Sequence, residues 1–297
     1  MSLFPSHILT RKTITILAIS SAIYLAVVGL LVGLKPENFV IVAAYNFFFL
    51  CSESTRKFVA AFSIFIVFGI VYDLMKAFPN YLFNSVDIKQ VYNFEKTLFG
   101  IKTATGLMTP NEFFAAHHTV FLDLLSGFFY INWMPIPLAL GFYFFLKNKE
   151  QYLHFSLTFL FTNLLGFALY YIHPAAPPWY IAQYGDAVSF SIPGNPAGLI
   201  HFDKLLHVSV FESIYSRNSN VFAAMPSLHS AYPVIVLFYA IKSKLGWINL
   251  FFGIFVLGIW FSAIYSGHHY AVDVIAGALT AIMGISIYQR FLIKIPR

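Results

Sequence analysis

Long apolar runs separated by short polar breaks dominate this chain, and the lengths of the runs decide what they build. Eight of them, at roughly 13–34, 38–53, 58–78, 127–146, 152–172, 228–244, 246–266 and 270–290, carry few or no charges. Most approach the roughly 20 residues a helix needs to cross a hydrocarbon core of about 30 Å. A helix is also one of the two structures that satisfy every backbone polar group in lipid. The pattern therefore predicts eight membrane spans, of which 38–53 is the weakest, being short and carrying Asn46 and Ser52.

Two longer segments, about 79–126 and 173–227, interrupt the series. In the first, Thr109-Pro110-Asn111-Glu112 is a helix start signal, and Phe113, Phe114, His117, Phe121, Leu124 and Leu125 recur at helical spacing. This predicts one helix lying along the membrane surface. The second segment opens on Tyr171-Ile172-His173-Pro174-Ala175-Ala176-Pro177-Pro178-Trp179-Tyr180. Its three prolines stop the preceding helix, and Trp179 and Tyr180 suit the headgroup layer.

Composition removes the soluble alternatives. Of 297 residues, 59% are hydrophobic and 10% charged, with a mean hydropathy of +0.74, against about a quarter charged in soluble domains. No linker, internal repeat or low-complexity stretch breaks the chain, so the expected fold is all-α: a single polytopic helical bundle over residues 1–297. It would comprise N-terminal spans in 1–78 and a six-helix catalytic core with the interfacial helix in 110–290. The first apolar run is longer than the roughly 7–15 residues of a signal-peptide core and is followed by Lys35-Pro36-Glu37, so it reads as a retained anchor. The one cysteine, Cys51, excludes an internal disulfide.

The net charge of +6 lies in short clusters beside the spans, with no basic stripe suited to nucleic acid. With eight spans and a cytoplasmic N-terminus, one face collects Arg11, Lys12, Arg56, Lys57, Lys147, Lys149, Lys242, Lys244, Arg290, Lys294 and Arg297, as the positive-inside rule requires. Both termini are then cytoplasmic. The same assignment puts His173, Ser227, His229, His268 and His269 on the extracytoplasmic side, periplasmic or luminal, although the charge count did not use them.

These residues belong to two strings, Ala224-Met225-Pro226-Ser227-Leu228-His229-Ser230 and Ser266-Gly267-His268-His269-Tyr270-Ala271-Val272-Asp273. Each places an imidazole at the edge of an apolar run, and Asp273 follows His269 at the spacing that shares a helix face. A carboxylate on one ring nitrogen fixes the tautomer and leaves the other nitrogen free to attack. Two imidazoles can divide a displacement at phosphorus, one attacking and the other protonating the departing oxygen. The pattern points to phosphoryl transfer.

Pro226-Ser227-x-His229 followed by Ser262-x6-His269-x3-Asp273 resembles the second and third signatures of the phosphatidic acid phosphatase type 2 superfamily. The strings APPWY at 176–180, MPSLHS at 225–230 and HHYAVD at 268–273 most resemble its inositol phosphorylceramide synthase, or aureobasidin-resistance, branch. The likeness covers roughly residues 110–290. It implies a helical core with the site at the luminal or periplasmic surface, His269 as nucleophile, Asp273 as its orienting partner, and His229 as the acid for the leaving group. It also implies no metal and no cofactor.

The chain departs from the phosphatase pattern at three cations. The first signature's lysine and Arg-Pro would fall on Gly166 and His173-Pro174, and the arginine after the third signature's serine is Ala263. Those cations matter most for a phosphomonoester with nearly two charges. A singly charged phosphodiester could be held by Ser227, His268 and His173 together with backbone N–H groups at the helix start after Pro226-Ser227. The expectation is headgroup transfer between membrane lipids, plausibly phosphoinositol from phosphatidylinositol to ceramide, through a phosphohistidine. The alternative is a lipid phosphate phosphatase in which water is the acceptor. A proton-relay transporter built on the same residues is a third reading, but the middles of the spans hold no ionisable group that supports it.

The remaining polar residues carry less. His117, His118, His201 and His207 have no partner at a telling spacing and read as surface residues. The histidines lack the spacing of common zinc enzymes. Asp186, Asn195, Asp203, Lys204 and Arg217 lie in the outer loop, where a polyol headgroup could be read.

Overall fold

A computed structural model describes residues 10–216 and 220–292; Arg217, Lys294 and Arg297 lie outside the described residues. The chain forms two compact units that divide between Phe78 and Pro79.

The first unit contains α1 (Arg11–Leu31), α2 (Pro36–Cys51) and α3 (Glu53–Leu74). Their starts follow from local chemistry: Thr10 accepts from the Thr13 N–H, Pro36 occupies the first turn of α2, and Ser52 accepts from the Thr55 N–H. Asn46, which weakens the second run as a span, accepts a hydrogen bond from Ser21 Oγ at 3.2 Å. Asn38 donates to Tyr24 at 2.9 Å, so the polar residues of α2 pair with α1. Ile16, Ile23, Leu30, Val40 and Phe47 are exposed, as side chains meeting lipid tails would be.

In the second unit α4 (Lys89–Phe99) leads into a hairpin of β1 (Ile101–Thr103) and β2 (Gly106–Met108). These pair antiparallel with Thr103 opposite Gly106. Next come α5 (Pro110–Ala116), α6 (Val120–Ile131), α7 (Pro135–Lys147) and α8 (Lys149–Ile172). The outer loop folds as α9 (Pro178–Tyr184), α10 (Ile200–Leu206) and α11 (Val210–Tyr215), before α12 (Leu228–Lys242), α13 (Ile248–Tyr265) and α14 (Ala271–Ile287). α8 is the centre of this unit, burying Tyr152, Phe155, Phe159, Asn163 and Tyr170. Tyr232 donates to Asn163 Oδ1 at 2.6 Å, and Tyr239 pairs with Thr158 at the same distance.

Two sequence expectations change here. The single interfacial helix over about 109–125 is two helices, because Thr119 caps a new start by accepting from the Leu122 N–H. The second of them, α6, joins the following apolar run instead of lying apart from it. The run at 127–146 is accordingly a pair, α6 and α7, bent by 40° where Pro135 begins α7.

Each of the eight apolar runs is helical, but their lengths differ. Among the described residues, five helices are long and apolar enough to cross a membrane, and the bent pair makes a sixth. α2 and α12, at 16 and 15 residues, reach only about 22–24 Å at about 1.5 Å per residue, short of a 30 Å core. The architecture is that of a multi-pass all-α membrane protein.

Candidate active site

Four helix ends meet at one end of the second unit. α8 and α13 finish there, and α12 and α14 begin there. Their opposite ends carry Lys149, Lys242 and Arg290. Between the ends run two irregular segments, 222–227 and 266–270, which carry the motif residues.

Backbone pairing holds the first segment. The Ala175 N–H bonds to the Phe222 carbonyl and the Ala224 N–H to the Ala175 carbonyl, so the strand-like exit from α8 lies beside it. Met225–Pro226 is cis. Ser227 caps α12, its Oγ accepting from the Ser230 N–H at 3.3 Å and from Ser230 Oγ at 3.0 Å. Its own N–H donates to the Asp273 carbonyl, so the two motifs are joined through backbone.

This contact requires Gly277. A Cβ built there would lie 2.0 Å from the Ser227 carbonyl oxygen, a collision with backbone that no side-chain rotation relieves. Gly277→Ala is expected to push α14 away from the 224–227 segment, lowering thermal stability by a few kcal/mol as overpacking does. Thermal unfolding of the purified variant checks this.

The second segment turns at Gly267, whose φ of +73° favours glycine. Three neighbours grip it: Trp179 N–H on the Gly267 carbonyl, Gly198 N–H on the Ser266 carbonyl, and His269 N–H on the Ala263 carbonyl. Asn111 Nδ2 adds bonds to the carbonyls of Ile264 (2.7 Å) and His269 (2.9 Å). Trp179 of the proline-rich string thus fixes the turn that presents the histidines.

The structure brings His229, His269 and Asp273 into one row. His229 Nδ1 lies 3.3 Å from His269 Nε2, and His269 Nδ1 lies 3.6 Å from Asp273 Oδ2. Oδ2 also accepts from the Tyr270 N–H at 2.9 Å, which fixes the carboxylate in the first turn of α14. An Asp273 facing Nδ1 favours the tautomer with its proton there and its lone pair on Nε2. Burial pushes the His269 ring down to about 4, with a backbone carbonyl at Ala224 opposing, so the imidazole is neutral near pH 7. Tyr130 and Trp133 wall the other side of His229, with ring centroids at 5.2 and 4.9 Å.

Activity that needs the Nε2 lone pair is lost when that nitrogen binds a proton, so a lowered value moves the acid limb of the rate profile down. The acid limb of kcat/KM is expected to lie well below pH 6.5, the ordinary imidazole value, and to approach pH 4. A pH–rate profile on detergent-solubilised protein measures it.

Sequence reasoning missed Glu95, on α4 and outside both motifs. It is fully buried, and its two oxygens accept the N–H groups of Ala271 and Val272 at 3.0 Å each. These are the first two residues of α14, so a carboxylate 176 positions away in sequence caps the helix that carries Asp273 and complements its dipole. Burial raises its carboxyl above the usual range, the two N–H groups opposing. Nothing in a single sequence marks a long-range cap of this kind.

Glu95→Ala would leave two buried donors unpaired, at about 1–3 kcal/mol each, and free the turn that aims Asp273. Expected are a lower unfolding temperature and at least about a tenfold loss of turnover, with Glu95→Gln, which keeps one acceptor, intermediate in both. Turnover and thermal unfolding on the three proteins test the ordering.

The other candidates are engaged elsewhere. Buried His268, held well below its ordinary value by desolvation and then by His269, is neutral. Its Nε2 lies 2.8 Å from the Pro196 carbonyl, which takes its single N–H, and its ring stacks between Tyr130 and Tyr215. His173 is half-exposed and lies 3.4 Å from Asp87. At the two other positions where phosphatases carry cations, Gly166 packs under Leu228 and Ala263 is fully buried. Among the outer-loop candidates, buried Asp203 accepts from the N–H groups of Phe211 and Glu212, Asp186 pairs with Lys89, and Lys204 is exposed.

Three histidines read as surface residues do have partners, and the first is local: His117 Nδ1 lies 2.8 Å from the Phe113 carbonyl. His118 Nδ1 lies 3.1 Å from Asp123 Oδ2, and its ring stacks on His201 at 4.3 Å. His118, Asp123 and His201 offer ligand atoms within 4.8 Å of one another. His118 and Asp123 are five residues apart and pair locally, whereas His201 joins them through the packing of α10 on α6, which its separation in sequence hid.

Comparison with known proteins gives consistent matches. Residues 89–287 match the profile of the PAP2 superfamily. The phosphoinositol dihydroceramide synthase of Bacteroides thetaiotaomicron is 45% identical over 287 residues, which cover 96% of this chain and 94% of that protein. The inositol phosphorylceramide synthase of Candida albicans is 29% identical over 249 residues, 82% of this chain and half of that protein. The catalytic subunit AUR1 of the Saccharomyces cerevisiae inositol phosphorylceramide synthase is 36% identical over 122 residues, 40% of this chain and 30% of that protein. No solved structure matches.

Proposed function

From the premise that this chain belongs to the PAP2 superfamily, in its inositol phosphorylceramide synthase branch, we propose that it moves phosphoinositol from phosphatidylinositol to the hydroxyl of a ceramide-type lipid, dihydroceramide included. The observation that carries the chemistry is the row His229–His269–Asp273. The phosphoinositol group and the ceramide-type acceptor are drawn from the names of the relatives, which are synthases.

In the first half-reaction His269 Nε2 attacks the phosphorus of the donor. The bond from phosphorus to the diacylglycerol oxygen breaks, and His229 gives that oxygen its proton, leaving a phosphohistidine and free diacylglycerol. In the second, His229 takes the proton of the acceptor hydroxyl, the resulting oxygen attacks phosphorus, and the P–N bond breaks to restore His269. Asp273 holds the Nδ1 proton and stabilises the positive charge that develops on the attacking ring.

One geometric consequence follows. In-line displacement puts the attacking and leaving atoms on opposite sides of phosphorus, and two nitrogens 3.3 Å apart leave no room for a phosphate between them. Substrate entry therefore has to separate the His229 and His269 rings.

The site opens at the helix ends away from Lys149, Lys242 and Arg290. The positive-inside rule then favours an extracytoplasmic site with both termini cytoplasmic. The transfer assay supplies purified protein with headgroup-labelled phosphatidylinositol and ceramide in detergent micelles. Labelled inositol phosphorylceramide is the expected product. Release of water-soluble inositol phosphate with no labelled sphingolipid contradicts the proposal.

A further inference from the structure

Beside the turn that carries His268 and His269 lies a cavity of about 510 Å³, within the range of small-molecule sites. One wall is that turn itself, through Ser266, Gly267 and Tyr270. The rest combines Glu112, His118, Asp123, Gln183 and His201 with the rings of Trp179 and Tyr265. Carboxylates, amides and imidazoles interleaved with aromatic faces are the chemistry that binds a polyol: many hydroxyls to pair, and a ring with apolar C–H faces to stack.

Two buried atoms point the same way. Asn111 is 5% and Ser266 3% exposed, both line this cavity, and Asn111 Oδ1 and Ser266 Oγ have no hydrogen-bond partner among the described residues. A buried polar atom left unpaired costs about 1–3 kcal/mol, and both of these belong to residues of the cavity wall. The carboxylates are already oriented: Asp123 Oδ1 accepts from Tyr265 at 2.7 Å, and Glu112 accepts from Tyr92 and from the Thr109 N–H. Each carboxylate oxygen keeps a second lone pair for a ligand hydroxyl. Burial lowers His201 below its ordinary value, so its ring can accept as well as donate.

We propose that this cavity is the polyol subsite, which takes the inositol ring of the donor and selects it over headgroups that lack a ring of hydroxyls. The proposal rests on the transfer of phosphoinositol set out above. The side chains best placed to read hydroxyls without also supporting the histidine turn are His201 and Gln183. Asn111 couples the subsite to the chemistry, since the same side chain holds the His269 carbonyl.

The test uses glycerophosphoinositol, the water-soluble deacylated headgroup, in equilibrium binding to the purified full chain, together with transfer kinetics. Wild-type protein should bind it saturably, and His201→Ala and Gln183→Ala should each weaken binding by up to about tenfold, the scale of one lost hydrogen bond. Each should raise KM for phosphatidylinositol by a similar factor and leave KM for ceramide unchanged, a split that general loss of structure would not produce. Thermal unfolding identifies a variant that fails to fold, in which case the other decides. Unchanged binding and KM in both variants overturn the proposal. So does a stoichiometric zinc ion that wild-type protein retains and His201→Ala loses, because the cluster would then be a cation site. A wild-type protein that binds glycerophosphoinositol through these residues yet transfers nothing sinks the functional reading and leaves the subsite standing.

Discussion

His269→Ala is expected to abolish transfer and, with it, any phosphorylated form of the protein. The ring supplies the Nε2 lone pair that forms the covalent intermediate, and among the neighbouring imidazoles it is the one with Asp273 at its Nδ1: His229 lies across the gap, and His268 Nε2 faces the Pro196 carbonyl. The loss should exceed the roughly 10²–10⁴-fold typical of removing a lone acid–base group, because the two-step path disappears altogether. Folding should survive, since Asp273 keeps its bond from the Tyr270 N–H and Glu95 keeps its grip on α14. Initial-rate measurement beside thermal unfolding separates the two effects. Near-normal transfer by this variant removes the mechanism.

His229→Ala should leave the nucleophile in place and cripple both half-reactions. Without the imidazole, diacylglycerol must depart as an alkoxide and ceramide must attack with its proton still on. Each step is expected to slow by about 10²–10⁴-fold. Stopped single-turnover experiments resolve them, following label arrival on the protein without ceramide and its discharge after ceramide is added. If only one step slows, another group handles the second proton.

The parts of this molecule that are legible in sequence are those fixed by local spacing. Each of the eight apolar runs announces helix, although one of them folds as the bent pair α6 and α7, and the four-residue interval from His269 to Asp273 is enough by itself to place ring and carboxylate on one helix face. What stays hidden depends on contacts between distant segments. Glu95 stands outside every motif, and its part shows only where its carboxylate meets the start of α14. His201 reads as a surface residue until α10 packs on α6. The helix expected over 109–125 fails for a local reason, since apolar periodicity runs through a break that the Thr119 cap enforces. His173 occupies the position of a phosphate-binding arginine, and the neighbour it finds there, Asp87 at 3.4 Å, was not legible from the motif.

The most direct test of the account is a single turnover stopped in alkaline detergent, with phosphatidylinositol labelled at phosphorus, run first without acceptor and then with ceramide. The account predicts acid-labile, alkali-stable label on wild-type protein, none on His269→Ala, and quantitative passage of the trapped label to inositol phosphorylceramide when ceramide is added. Label that reaches ceramide at the wild-type rate without ever residing on the protein would contradict it.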